Sequence, residues 1–115
     1  MRNYILSIDQ STQSTKVFLF GEDGSCLKKI TAVHKQYYPK DGWVEQDGEE
    51  IYQLACGALH QALSETGVDP AQIAALSITT QTDAFVVWDK KTGIPVYHII
   101  GWQCNRREKI VKRFS

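Results

Sequence analysis

At 115 residues, with 43% hydrophobic and 23% charged residues, the chain has the size and composition of one small globular domain with a modest core. Thirteen basic residues balance thirteen acidic ones, so no net field argues for nucleic acid or an anionic membrane as partner. Cys26, Cys56 and Cys104 are odd in number, widely spaced and lack a C-x-x-C pair, which argues against a disulfide framework or zinc site and fits a reducing cytoplasm.

The opening "MRN" passes directly into "YILSI" (Tyr4–Ile8), leaving no room for a signal peptide, and no apolar run reaches the roughly 18 residues of a membrane span. "YILSI" and "KVFLF" (Lys16–Phe20) read as strands, and Asp23-Gly24 in "GEDGS" is a strong hairpin signal. A third strand is expected from Cys26 to about His34. Short connections between the three predict an antiparallel meander.

"YYPKDGWVEQD", with Pro39, Gly42 and Trp43, reads as an ordered loop. A helix follows: Asp47 suits the N-cap and Glu50 the capping-box position. Ile51, Leu54, Ala55, Ala58, Leu59 and Ala62 keep the helical spacing, and Gly67 is placed to be the C′ residue. Gly57 and the alanines suit close packing on a sheet.

"IAALSIT" (Ile73–Thr79) reads as a buried strand, "AFVVWD" (Ala84–Asp89) as another, and "KKTG" (Lys90–Gly93) as the turn that follows. A last helix is expected from near Trp102 or Gln103 to the end. Its basic cluster, Arg106, Arg107, Lys109, Lys112 and Arg113, reads as a solvated face. This order predicts an α/β domain with a mixed sheet, the order of the N-terminal lobe of the actin-like (ribonuclease H-like) ATPase fold.

Two polar stretches stand out between apolar strands. "DQSTQSTK" (Asp9–Lys16) has no Gly, Pro or Asn to manage a turn. Its hydroxyls and amides could converge on phosphate oxygens beside a lysine, with Asp9 suited to magnesium, or it could be a plain polar hairpin. In "TTQTDA" (Thr79–Ala84), Gln81 and Asp83 could bind hydroxyls of a polyol, or form an ordinary connection. The Trp102 ring could pack on the C–H face of a sugar or in a core.

Together these pieces resemble the N-terminal part of the FGGY carbohydrate kinases, and within that family its glycerol-phosphorylating branch. The resemblance covers nearly the whole chain. It rests on "YILSIDQSTQSTKVFLFGEDG", on the Pro-x-x-Gly-Trp-x-Glu-x-Asp pattern of "YYPKDGWVEQDGEEIY", and on "IAALSITTQTDAFVVWDKKTGIPVYHIIGWQC". The last of these holds two motifs, the Gln81–Asp83 turn and the Trp-Gln-Cys stretch, and four weak motifs in order at matching intervals make a specific signal. The resemblance implies a fragment, residues 1–115, of the family's first domain, with the second lobe and the catalytic base lying elsewhere.

It further implies ATP-dependent phosphorylation of a sugar or polyol hydroxyl, with Mg2+ as cofactor. Thr12, Gln13, Ser14 and Lys16 would bind the ATP phosphates and Asp9 would sit near the metal. Gln81, Thr82, Asp83 and Trp102 would line the acceptor pocket. Two loop positions depart from the family: Ser11 replaces a usual glycine, and Lys16 stands where the glycerol branch carries arginine. Thr82-Asp83 replaces that branch's Arg-Glu and the Met-His of ketose kinases, which points to an acceptor other than glycerol.

The 115-residue chain alone is expected to be inactive and, with apolar surface uncovered, to self-associate, and a homo-oligomer is an expected partner state. A binding module derived from such a lobe is the alternative. A chaperone- or filament-type actin-like ATPase has no reason to keep "GWQC" and the Gln81–Asp83 turn.

Overall fold

The structure is a computed structural model that describes residues 3–106 and 108–114, with the side chain of Lys109 excepted. In chain order the elements are β1 (Tyr4–Gln10), β2 (Ser14–Phe20), β3 (Cys26–Val33), β4 (Gln36–Tyr37), β5 (Glu45–Gln46), α1 (Gly48–Thr66), β6 (Ile73–Thr80), β7 (Ile99–Ile100) and α2 (Glu108–Phe114). They fall into two compact units, Met1–His34 with Glu50–Gln81, and Lys35–Glu49 with Thr82–Ser115.

The first unit carries a four-stranded sheet in the order β3-β2-β1-β6. β1, β2 and β3 form the expected antiparallel meander. Its second turn is made as the sequence predicts: Gly24 takes φ 84°, and Asp23 accepts from the Ser25 amide and hydroxyl. Leu6 and Ile8 of β1, Val17 and Leu19 of β2, and Ile30 of β3 are buried at alternate positions, so they share one face.

Helix α1 covers that face with Ala58 and Ala62, flanked by half-buried Leu59 and Leu63. Two alanines at the contact let the helix axis approach the sheet, and the Leu, Ile and Val side chains below supply about 1.5–3 kcal/mol each when fully buried. Asp47 caps the helix, accepting from the Glu49 amide at 2.9 Å. Gly67, at φ 73°, stops it by donating to the Leu63 carbonyl at 2.9 Å. Gly57 departs from expectation: it is exposed, in open space, and takes no part in the packing.

Strand β6 also departs from expectation. It runs parallel to β1, yet it is the outer strand, and Leu76 and Ile78 are 50% and 61% exposed. Register places them opposite Leu6 and Ile8, on the α1 side of the sheet. The α1 core is built over β1, β2 and β3, with Ile73 of β6 packed at its side, which leaves Leu76 and Ile78 uncovered.

The second unit holds a small antiparallel sheet, β4-β5-β7, and helix α2. The expected strand over 84–89 is replaced by two single bridges, Phe85 with Ile100 and Trp88 with Pro95. Pro95 has no N–H to extend a ladder. Asp89 closes the expected turn: its amide donates to the Ile94 carbonyl and its carboxylate accepts from the Lys91 and Thr92 amides. Helix α2 starts later than expected because 101–105 are spent on turns, in which Cys104 donates to Gly101 and Asn105 to Gly42.

Candidate functional site

In the first unit, β1 and β6 are the parallel pair, and Asp9 and Gln10 lie beside Thr79 and Thr80 at their carboxyl ends. Ligands of open α/β sheets bind at this end of parallel strands. The connection from β1 to β2 leaves from the same end, and so does Gln81.

That connection is held by its own polar groups. The Ser11 amide donates to the Ser14 carbonyl at 2.9 Å, and the Ser11 hydroxyl donates to Asp9 Oδ1 at 2.8 Å. Gln10 Nε2 donates to the Ser11 carbonyl at 2.8 Å, and the His34 amide donates to that of Gln13 at 3.2 Å. Asp83 alone among the described non-glycine residues has positive φ, so Thr12 and Gln13 do not form the primed turn that two-residue hairpins favour. Side-chain bonds do the work of turn-forming residues here. Ser11 serves the turn with both its amide and its hydroxyl.

Asp9 and Lys16 face each other in register across β1 and β2. The Ser11 bond orients the Asp9 carboxylate, whose oxygens are the hard donors that magnesium prefers. Among the described residues no group of three or more His, Cys, Asp or Glu is placed to hold a metal. A magnesium ion held by one carboxylate, phosphate oxygens and waters needs no such group.

Beneath the loop lie two residues that no sequence pattern flagged. Thr15 is 0% and His34 3% exposed, and Thr15 Oγ1 and both His34 ring nitrogens have no hydrogen-bond partner among the described residues. Register puts Thr15 opposite Ala32, two residues before His34, so both sit on the core face near the loop. Buried polar groups of this kind are rare and call for a bound water or a ligand-linked role.

The expected acceptor residues divide between the units. Gln81 ends the first, whereas Thr82, Asp83 and Trp102 belong to the second. Asp83 takes φ 57°, a left-handed conformation that a short polar side chain tolerates but that still stores strain. It lines a cavity of about 340 Å³ with Phe85, Ile100, Gly101, Cys104, Arg106 and Ile110. Trp102 lines a different one, of about 570 Å³, with Gln103, Asn105 and Glu108. Cys104 borders both.

The strongest polar cluster is one the sequence did not single out. Glu45, on β5, is 1% exposed and accepts from Tyr97 Oη at 2.7 Å, His98 Nδ1 at 3.0 Å and Arg106 Nη2. Arg106 also donates from Nε to Cys104 Sγ at 3.0 Å and stacks 3.8 Å from the Trp43 ring centroid. Arg106 therefore leaves the basic face on which it was expected, and Arg107 lies outside the described residues.

Burial pushes the Glu45 carboxyl up, but the bonds from Arg106, Tyr97 and His98 outweigh it and hold the group below the usual carboxylate range. Burial likewise pushes Cys104 up, and the Arg106 and Val44 backbones with the Arg106 guanidinium bring it below the usual thiol value. Burial lowers Arg106, whereas Glu45 and Cys104 raise it further, so it stays charged. Glu45 had appeared only as one letter of a loop motif. A carboxylate is buried this fully only when paired, and nothing in the spacing announces a partner 61 residues away.

The family model for the N-terminal domain of the FGGY family of carbohydrate kinases matches residues 4–115. Glycerol kinase 1 of Thermotoga maritima is 46% identical over 114 residues, which is 96% of this chain and 23% of that protein. A Geobacillus glycerol kinase is 42% identical over 115 residues, or 100% of this chain and 23% of that one. Among solved structures, Plasmodium falciparum glycerol kinase with ADP superposes with a TM-score of 0.88 at 34% identity, covering 99% of this chain and 23% of that one. A xylulose kinase from Brucella ovis gives 0.88 at 17% identity over 96% of this chain and 23% of that one, a likeness of fold alone. The chain thus spans about a quarter of the length of these relatives.

Proposed function

The chain belongs to the FGGY family of carbohydrate kinases through its N-terminal domain, an α/β lobe of the actin-like ATPase fold, and from that premise we propose that it supplies the phosphate loop and part of the acceptor pocket of an ATP-dependent sugar or polyol kinase. The observation that carries this reading is the placing of Asp9, the Ser11–Ser14 turn and Gln81 at the carboxyl ends of the parallel pair β1 and β6.

In this reading ATP with Mg2+ supplies the phosphoryl group and the charge neutralisation. Thr12, Gln13 and Ser14 bind phosphate oxygens through hydroxyl and amide donors. Lys16 adds a point charge, one donor at a time, where an arginine would bind as a fork. Asp9, oriented by Ser11, is the residue that would hold the metal through one carboxylate. Asp83 accepts a hydrogen bond from a hydroxyl of the acceptor, and Gln81 and Thr82 can each donate or accept one. Trp102 offers a ring for the acceptor's C–H face. The base that takes the acceptor proton is not among these residues, and the 115-residue chain by itself is inactive.

Thr82 and Asp83 shape a pocket for a polyol or sugar other than glycerol. A site built on hydrogen bonds rejects a guest that leaves its polar groups unpaired. The second lobe of the family-length protein is the partner this lobe requires. The described residues include no helix long and apolar enough to cross a membrane, and the three free cysteines agree with the cytoplasmic setting we assign. The test is a phosphorylation assay of the whole protein with ATP, magnesium and a panel of glycerol, xylitol, D-xylulose and gluconate. Turnover of a larger polyol or ketose above glycerol is expected. Preference for glycerol overturns the assigned acceptor, and no turnover on the panel overturns the kinase reading.

A further inference from the structure

The cavity beside Asp83 raises a question of donors. A carboxylate at neutral pH only accepts hydrogen bonds, and Phe85, Ile100, Gly101 and Ile110 add apolar or backbone surface. A polyol offers hydroxyls that both donate and accept, so a wall made of Asp83 alone would leave half of its bonds unmade. The donor in that wall is Arg106.

Arg106 is held more firmly than pairing one acid requires. Its guanidinium lies against Trp43, donates from Nη2 to Glu45 and from Nε to Cys104. Those two bonds use two of the five N–H donors of a guanidinium. Glu45 cannot turn away, because Tyr97 and His98 fix its carboxylate from two more directions. It also sits in the β5 ladder, opposite Ile100 of β7, and Ile100 is itself part of the cavity wall. One buried acid thus sets both the guanidinium and the strand beside it.

We propose that Arg106 is a specificity-determining residue of the acceptor pocket, donating to a guest hydroxyl that neighbours the one bound by Asp83, and that Glu45 is the positioning residue that presents it. The guest class is a neutral compound with vicinal hydroxyls, one donating to Asp83 and the next accepting from Arg106. The proposal rests on the acceptor-pocket reading above. Pairing with Glu45 also offsets the arginine charge, so the pocket selects hydroxyls rather than anions.

The test is a titration of the whole protein with glycerol, xylitol and D-xylulose, followed through the amide signals of this domain and run on the unaltered protein and on Arg106→Lys, Arg106→Gln and Glu45→Gln. Arg106→Lys is the decisive variant. A lysine keeps the charge beside Glu45 and with it the fold, but it cannot reach Glu45, Cys104 and a guest at once. The expected result is that one of the three probes moves the amides of Asp83, Phe85, Ile100 and Gly101. Arg106→Lys then weakens that binding about tenfold with the melting temperature little changed. Glu45→Gln weakens it about fivefold and blunts the preference among the probes.

Binding unchanged within twofold in Arg106→Lys overturns the role of Arg106 while leaving the pocket in place, because a guest held by the guanidinium fork loses a donor that lysine does not supply. Failure of the unaltered whole protein to bind any probe overturns the pocket reading and this proposal with it. Should Arg106→Gln unfold, Arg106→Lys still decides the matter.

Discussion

Asp9 and Lys16 stand directly opposite each other across β1 and β2, at the base of a turn fastened by Ser11. Both are half-buried, so their mutual attraction contributes at most about 1 kcal/mol to stability. In the proposed reading they face the phosphates of bound nucleotide. Lys16→Ala should leave the melting temperature of the chain within a few degrees. In the whole protein it should weaken MgADP binding by at least about tenfold, the loss of one hydrogen bond to a charged group of about 1.5–3 kcal/mol. Lys16→Arg should tighten binding by restoring a fork. Calorimetric titration with MgADP measures both, and equal affinity in all three proteins would remove Lys16 from the phosphate site.

The Glu45 cluster makes the second unit sensitive to acid. Its carboxyl is held below the ordinary value of 4.5 in the folded chain. The stability it contributes is therefore complete above that value and is lost as pH falls through the lower, folded one. Melting temperature should hold level from pH 7 to about pH 5 and then drop. Glu45→Gln should cost about 3–5 kcal/mol at neutral pH, because it leaves the Arg106 charge buried without its partner. It should also flatten the acid limb of the profile. Thermal melts between pH 3 and 7 check this, and an unchanged acid limb in Glu45→Gln would place the sensitivity in another group.

Gly42 is a position where geometry forbids a side chain. Its φ is 75°, and a Cβ built there would lie 2.0 Å from Asn105 Nδ2 and 2.4 Å from Asn105 Cγ. The Gly42 carbonyl meanwhile accepts from the Asn105 amide at 2.8 Å. Gly42→Ala must push Asn105 aside and strain the backbone together, at a cost of roughly 2 kcal/mol. Gly24→Ala has an open surround and carries only the backbone strain of positive φ, about 1 kcal/mol. Chemical denaturation should rank Gly42→Ala below Gly24→Ala, and the reverse order would mean Asn105 yields freely.

What the sequence conveyed and what it hid divide along physical lines. β1, β2, β3 and α1 were legible because each buries a periodic face and ends on a residue with one conformational role, as Gly24 and Gly67 do. Residues 84–89 were misread because their apolar content resembles a strand, while the partner segment carries Pro95 and breaks the ladder. The turn over 9–16 was visible as an anomaly of composition. The Glu45–Arg106 pair was not, since a contact across 61 residues leaves no local pattern and Arg106 sits in a run of bases that reads as solvated.

Strand β6 explains a further expectation. "IAALSIT" reads as buried because parallel strands are covered on both faces, and here its outer edge and the Leu76 and Ile78 side chains are open. An exposed apolar edge strand is a template for association. The 115-residue chain should therefore self-associate at high concentration, and Ile78→Lys should return it towards monomer at a stability change under about 0.5 kcal/mol. Light scattering over a concentration series decides this. A clean monomer of the unaltered chain would show that the β6 edge does not drive association.

Cys104 offers a reading of the cluster that needs no ligand. Burial alone would push its thiol above the ordinary 9.0, but amide bonds from Arg106 and Val44 and the Arg106 guanidinium bring it lower. Thiolate is the reactive form, so the rate of Cys104 alkylation should level off below the ordinary thiol value of 9.0. Restricted access lowers the rate at every pH, so the shape of the profile rather than its height is the readout. Arg106→Gln removes one of the bonds and the charge together, and it should shift the Cys104 inflection up. Peptide mapping of iodoacetamide adducts across a pH series isolates the Cys104 site. An inflection at or above the ordinary thiol value in the unaltered chain would mean that Arg106 does not polarise the thiol.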